Sequence, residues 1–375
     1  MFLSFLSIFA GVKTNRKMIK YRQMKKEEEG KVIIALDSFK GCLTSSEANA
    51  AAAGAFDDAE TITVSDGGDG MLNAFAAAWG AKTVDVATHD ALMRPRTGRI
   101  AIAGETAIIE VAQAVGLALI EPEQRNPMRA TSYGVGELIA EALRRCCTHL
   151  IIGLGGTATS DCGIGMMHAL ITLLTHDGNI DDLHLDGIDV TLATDVDNPL
   201  LGPDGAAAVF APQKGATKEM IRLLEHRGET FARLSAVHCG KDESTTSGAG
   251  AAGGLGYAFL QFFNSRIESG ADLLLRKVNF DSRLTGCRLV ITGEGSSDRQ
   301  TLMGKLPQRI LQHCLRAEHN PEVWLIAGHI EDKDALLQAG FSRVININDG
   351  HLNDGENPLD KDIARRNIKA TLMNR

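Results

Sequence analysis

The run Lys31–Leu36, KVIIAL, is a continuous apolar stretch rich in β-branched residues, with its only charge at the start. A run of this kind buries both faces of a strand, which restricts it to a covered, largely parallel sheet. DSFKG follows as a loop. Thr44, Ser45, Ser46 and Glu47 then offer caps for an Ala-rich helix over Ala48–Phe56. A second strand, Thr61–Ser65, leads into DGGDG and a helix over Met71–Trp79. This βαβα opening belongs to a parallel sheet. The end of the chain repeats the style. Arg288–Thr292 reads as a strand, GEGSSDRQTLMGK as a loop and Pro307–Leu315 as a helix, with further strands at Val323–Ala327 and Arg343–Ile347. The two ends are expected to complete one open parallel sheet of about five strands.

Between them the texture changes. From Lys82 to Glu110, short alternating segments (TVDVA, TGRIAIA, AIIEV) read as antiparallel strands. A helix over Gly134–Arg145, a strand at His149–Ile152, a helix from Met166 and a strand at Val190–Thr194 follow. Gly215–Val237 and Leu255–Phe263 read as helices. At 375 residues the chain exceeds one average core. The expected division is 1–30 as an N-terminal extension, 31–81 with 281–375 as one discontinuous parallel-sheet domain, and 82–280 as an inserted α/β domain. The opening MFLSFLSIFAG is apolar but too short to span a bilayer. Its basic residues come after the apolar run, so it reads as a non-native upstream extension with the start at Met18 or Met24. The net charge of −8, without a long basic run, argues against nucleic acid as a partner. The seven Cys include no Cys-x-x-Cys, which disfavours a disulfide framework or a zinc site and points to a reducing cytoplasm.

Two Gly-rich loops, GLGGTA (153–158) and GAGAAGG (248–254), could bring backbone N–H groups to an anion, or could simply be tight turns. After GLGGTA the position for the acidic residue of a dinucleotide site falls in an apolar helix (Leu170–Leu174), and no strand precedes GAGAAGG, which disfavours an NAD-dependent dehydrogenase. Walker A and protein-kinase signatures are absent. The carboxylates are more telling. Asp37, Asp66, Asp195 and Glu294 each stand at or just past the C-terminal end of an apolar strand. Ligands of open α/β sheets bind at that edge, and phosphoryl transfer needs acids there to hold Mg²⁺ and accept a proton. Asp195 and Asp197 would share a face if extended. Lys40, Lys214 and Lys305 stand beside these acids and could meet a phosphate or a carboxylate.

Together these segments resemble the bacterial glycerate kinase family. The likeness runs from about Lys31 almost to the C-terminus. It is carried by ALDSFKG (35–41), SDGGDG (65–70), RNPMRATSYGVGELI (125–139), GLGGTATSDCGIGMMHAL (153–170), DVDNPLLGPDGAAAVFAPQKGA (195–216), GAGAAGGLG (248–256) and ITGEGSSDRQTLMGK (291–305). The resemblance implies a flavodoxin-like domain built from both chain ends plus an inserted α/β domain, with the active site between them. It implies ATP and Mg²⁺ as co-substrates and D-glycerate as acceptor, with 2-phosphoglycerate the favoured product and 3-phosphoglycerate the other. No membrane partner is expected, and a homodimer is the possible assembly. On this reading Asp195, Asp197 and Lys40 are catalytic. Asp37, Ser38, Lys40, Asp66, Gly67, Gly68, Glu294, Asp298, Gln300 and Lys305 bind substrate. Gly155, Gly156, Thr157, Asp161, Gly253 and Gly254 bind ATP, and Asp195 with Glu294 holds the metal. The chain departs from the family pattern where Ser296 replaces the usual Arg of the GEGR run. That change is the main support for a rival reading, a non-catalytic descendant that binds glycerate or nucleotide.

Overall fold

The computed structural model describes residues 30–373 apart from Asp69. The expectations for the apolar N-terminal run and for the second acid of DGGDG lie outside these residues.

The two chain ends form one five-stranded, wholly parallel sheet. Its strands are β1 (Lys31–Leu36), β2 (Ala59–Thr61), β9 (Cys287–Ser297), β10 (Glu322–Ile330) and β11 (Arg343–Asn346), in the order β2-β1-β9-β10-β11. This is the flavodoxin-like order, in which the chain reverses direction across the sheet beside the first strand. The middle of the chain forms a six-stranded mixed sheet in sequential order. Its strands are β3 (Lys82–His89), β4 (Pro95–Ala103), β5 (Thr106–Glu110), β6 (His149–Gly153), β7 (Asp189–Ala193) and β8 (Asn264–Glu268). The first three pair antiparallel, and β5 through β8 run parallel.

Alternation along these strands sorts side chains into layers. Val32, Ile34 and Leu36 of β1 face α1 (Ser45–Ala53) and the C-terminal α9 (Lys361–Met373). Ile33 and Ala35 point the other way, into a layer that also takes Ile108, Ile151 and Ala193 from the second sheet. Helices α2 (Met71–Trp79), α7 (Gly270–Lys277) and α8 (Leu306–Arg316) fill that shared layer. The far face of the second sheet is covered by α3 (Tyr133–Arg144), α4 (Ile164–Leu174) and α6 (Ala251–Phe262), and the polar α5 (Lys218–Cys239) packs outside them, against α6. Among the described residues, no helix is long and apolar enough to cross a membrane.

The structure differs from the sequence reading in instructive places. α1 begins three residues earlier than expected because Thr44 and Glu47 close a capping box around its first turn. The second strand ends at Thr61 instead of running to Ser65. Beyond it, side chains of α1 replace the ladder: Asn49 Nδ2 donates to the Ile62 carbonyl at 3.0 Å, and Val64 N–H donates to Ser45 Oγ at 3.0 Å. GEGSS, read as a loop, is the continuation of β9, and it pairs with β10 as far as Ser297.

Two buried acids hold helix starts. Glu110, the last residue of β5, accepts from Gly70 N–H at 3.2 Å and Leu72 N–H at 2.9 Å, so the second sheet caps a helix that packs against the first. Asp161 accepts from the Ser132 N–H (2.7 Å) and hydroxyl (2.9 Å) and from the N–H of Gly163 (3.3 Å) and Gly165 (3.1 Å) at the start of α4. Glu110→Ala should lose about 1–2 kcal/mol of stability, the cost of a missing cap. Asp161→Ala should lose about 3 kcal/mol, because several buried donors lose their acceptor at once. Urea unfolding of the purified variants checks both values, and a smaller loss at Asp161 than at Glu110 would overturn the ranking.

Candidate active site

The parallel strands of both sheets end at the same place. The turn Asp66–Gly68, after the first sheet's edge strand, runs directly against the C-terminal ends of β6 and β7. Gly67 sits at φ +96°, and a Cβ there would stand 2.8 Å from the Ala193 carbonyl oxygen. A Cβ on Gly155 would stand 2.5 Å from Gly68 Cα. Only glycine permits this approach. The turn is fixed internally by the Asp66 carboxylate, which accepts from Gly68 N–H at 2.9 Å.

Four carboxylates gather around this turn. Asp37 leaves the end of β1, where its N–H donates to Gly293 O at 2.9 Å and its carboxylate accepts from Ser38 N–H at 2.7 Å. Burial pushes its carboxyl well above the ordinary range, and the neighbouring Asp66 and Glu294 add to the rise; Lys40 opposes it. Glu294 stands on β9 itself. Burial raises it too, against donors from Thr301 Oγ1 at 2.7 Å and Ser297 Oγ at 3.1 Å and the Lys305 ammonium at 3.6 Å. Asp195 follows β7, with its side chain 26% exposed. Burial pushes it up to about 6, with a hydrogen bond from Ser269 and the Arg309 guanidinium opposing and Asp66 and Asp272 adding to the rise.

A cavity of about 670 Å³ opens beside the cluster. Asp37, Ser38, Lys40, Asp66, Glu294 and Lys305 line its polar end, and Ser296 and His329 stand opposite one another on β9 and β10 at its wall. Asp298 and Gln300 contribute indirectly. The Asp298 carboxylate caps the turn Arg299–Leu302 through the N–H of Gln300 (2.7 Å) and Thr301 (3.3 Å), which holds the Thr301 hydroxyl against Glu294. The side chain of Gln300 is exposed.

Other expected residues lie elsewhere. Asp197 is exposed and accepts from Ser247 Oγ at 3.0 Å, so it shares no partner with Asp195. The GLGGTA loop divides. Gly155 meets the Asp66–Gly68 turn, whereas Gly156 O accepts from Leu117 N–H at 2.7 Å and the Thr157 hydroxyl accepts from the Lys214 ammonium at 3.2 Å. Lys214 is buried, and desolvation lowers it to about 8; its main contact is the Thr159 carbonyl at 2.6 Å. Asp161 is committed to the helix start described above. Gly253 and Gly254 have positive φ and pack against the backbone of Thr159–Cys162, where the adjoining void is only about 10 Å³. Among the residues expected at the nucleotide, Gly155 meets the turn that carries Asp66.

Arg309, Asp272 and Ser269 were missed by the sequence reading. Arg309 bridges Asp195 (4.0 Å) and Asp272 (3.2 Å). Its position four residues after Lys305 at the start of α8 was the available signal, since that spacing puts both cations on one helix face. Among the described residues no three His, Cys, Asp or Glu side chains are close enough to form a resident metal site.

Comparisons with known proteins agree with this architecture. The glycerate kinase family matches residues 32–371. A glycerate kinase of Bacillus subtilis (strain 168) is 37% identical, over 84% of this chain and 90% of that protein. A glycerate 2-kinase of Escherichia coli (strain K12) is 34% identical, over 91% of this chain and 98% of that protein. A crystal structure designated glycerate kinase 2, from Salmonella typhimurium LT2, superposes with a TM-score of 0.75 at 32% identity, covering 92% of this chain and 96% of the other. The chain, with its acids and cations gathered at the shared strand ends, therefore belongs to the glycerate kinase family and is a kinase.

Proposed function

We propose that this kinase transfers the γ-phosphoryl group of ATP to the C2 hydroxyl of D-glycerate, releasing ADP and 2-phosphoglycerate. The observation that carries the reading is the meeting of Asp37, Asp66 and Glu294 with Lys40 and Lys305 around one cavity, with Asp195 and its partner Arg309 on the far side of Asp66 from it. Membership of the glycerate kinase family supports glycerate as acceptor. The name of the Escherichia coli relative supports position 2.

In this reading the glycerate hydroxyl attacks the γ-phosphorus, a new O–P bond forms, and the bond to the β–γ bridging oxygen breaks as ADP leaves. The hydroxyl proton passes to Asp195. A carboxylate pushed up to about 6 is still mostly ionised near neutrality, yet is a better proton acceptor than an ordinary Asp. Lys40 and the N–H groups of the Asp66–Gly68 turn hold the glycerate carboxylate, and Lys305 faces the transferred phosphoryl group. Arg309 keeps Asp195 oriented.

Burial raises Asp37 first, repulsion from the neighbouring acids adds to it, and the same acids would repel the triphosphate. Such a set fits Mg²⁺ that arrives on the nucleotide, since that ion needs only one or two protein carboxylates beside phosphate oxygens. Glu294 is the residue that would hold it, leaving the Asp195 carboxylate free to take the proton, and bound there it would neutralise charge developing on the phosphates. We divide the chain functionally into 31–81 with 281–375, which lines the cavity, and 82–280, which brings Asp195 beside Asp66. Seven cysteines without a disulfide suit a reducing cytoplasm.

Full-length protein with MgATP should release ADP only when D-glycerate is present, with L-glycerate and no-acceptor controls silent and a single phosphoglycerate resonance in ³¹P NMR. Acceptor-independent ADP release would reject the reading. Asp195→Asn should lower kcat by about 10²–10⁴; wild-type kcat in that variant would remove Asp195 as the base. Asp195 must be ionised to take the proton, so kcat/KM should hold above pH 6 and fall as the pH drops through about 6. A flat profile down to pH 5 would contradict this.

A further inference from the structure

The cavity has two ends of different character. The acids and lysines occupy one. The other is lined by Phe39, Cys42, Ile347, Leu352, Leu359 and Ala364, contributed by the DSFKG loop, the segment after β11 and the start of α9. A volume of about 670 Å³ is far more than a three-carbon acid fills, and it lies in the range of nucleotide-sized ligands. At the rim Leu352 and Leu359 are 37% and 59% exposed, so apolar surface stands open beside the polar cluster. The segment that carries them is anchored, not loose. Asn348 donates to Gly328 O at 2.8 Å and accepts from Asn367 Nδ2 at 3.0 Å, which spends both ends of its amide. Asn346 differs: its Oδ1 accepts from Asn348 N–H at 3.0 Å, while its Nδ2 donor has no partner among the described residues.

We propose that this apolar end is the subsite for the purine base of the nucleotide, with Asn346 donating to a ring nitrogen on the base edge and Phe39, Ile347 and Leu359 covering its faces. A flat ring with apolar faces and a hydrogen-bonding rim matches that lining. The cavity joins it without interruption to the acids and lysines that meet the phosphates. The alternative location, between the two Gly-rich loops, is closed: Gly253 and Gly254 lie against the Thr159–Cys162 backbone beside a void of about 10 Å³. The base therefore lies on the first sheet, at the C-terminal edge beyond β10 and β11, with the triphosphate running back toward β1. The inference rests on ATP being the phosphoryl donor and adds where its base is held.

Calorimetric titration of ADP into the full-length protein without glycerate, with inorganic pyrophosphate as the base-free comparator, tests this directly. Because no acceptor is used, a failure of the glycerate assignment leaves the readout intact. Leu359→Asp and Asn346→Ala should each weaken ADP by about ten-fold, the size of one lost apolar contact or hydrogen bond. Both should leave pyrophosphate within about two-fold and the melting temperature unchanged. Leu359→Ala, milder at an exposed position, replaces the Asp variant should that one fail to fold. Unchanged ADP affinity in the folded variants overturns the subsite. So does an equal loss for ADP and pyrophosphate, or a wild-type protein that binds pyrophosphate but gains nothing from the base.

Discussion

The turn at Asp66–Gly68 is the contact on which the site depends. Two sheets, one from the chain ends and one from its middle, bring their strand ends together only because backbone meets backbone there. Gly67 lies against Ala193, and Gly68 against Gly155. Glu110 reinforces the join from the second sheet by capping α2. With side chains in place of these glycines, Asp195 would be pushed away from Asp66, and the four carboxylates would no longer share an electrostatic environment. The geometry of the acids follows from the absence of Cβ atoms more than from any bond between the acids themselves.

That environment is costly by design. Like charges held together in a sheltered place resist ionisation, and Asp37, Glu294 and Asp195 are all raised, burial being the largest cause in each. The surrounding donors divide the labour. Thr301, Ser297 and Lys305 hold Glu294, and Ser269 and Arg309 hold Asp195. Asp298 works at one remove, by shaping the turn from which Thr301 reaches Glu294. A site arranged this way stores a demand for positive charge that a phosphate-borne cation can meet.

Much of this was legible in the residues. Continuous apolar runs marked β1 and β9, and the acids where those runs give out, Asp37 just past β1 and Glu294 within the polar end of β9, marked the edge at which the carboxylates gather. The glycine motifs were harder to read. GLGGTA and GAGAAGG have the composition of anion-binding loops, yet most of their glycines serve close packing, as at Gly253, where a Cβ would stand 2.0 Å from Thr159 O. Composition alone does not separate a glycine that admits a phosphate from one that admits a neighbouring backbone. Asp161 and Lys214 are hard to read for a similar reason: their charges meet buried N–H and carbonyl groups that come together only in the fold. Arg309 was overlooked because its partners, Asp195 and Asp272, are distant in sequence.

The layer between the sheets limits how this protein can be taken apart. Ile108, Ile151 and Ala193 of the second sheet are buried in the same apolar layer as Phe75 of α2, Leu274 of α7 and Leu311 of α8. Cutting the middle segment out of the chain would strip that face of its cover and leave it to aggregate. A chimera that exchanges the inserted segment between relatives would have to carry α2 and α8 along with it, or match the shape of their apolar faces. The unit of exchange in this architecture is the pair of sheets with the helices clasped between them, although the order of the chain reads as one domain interrupted by another.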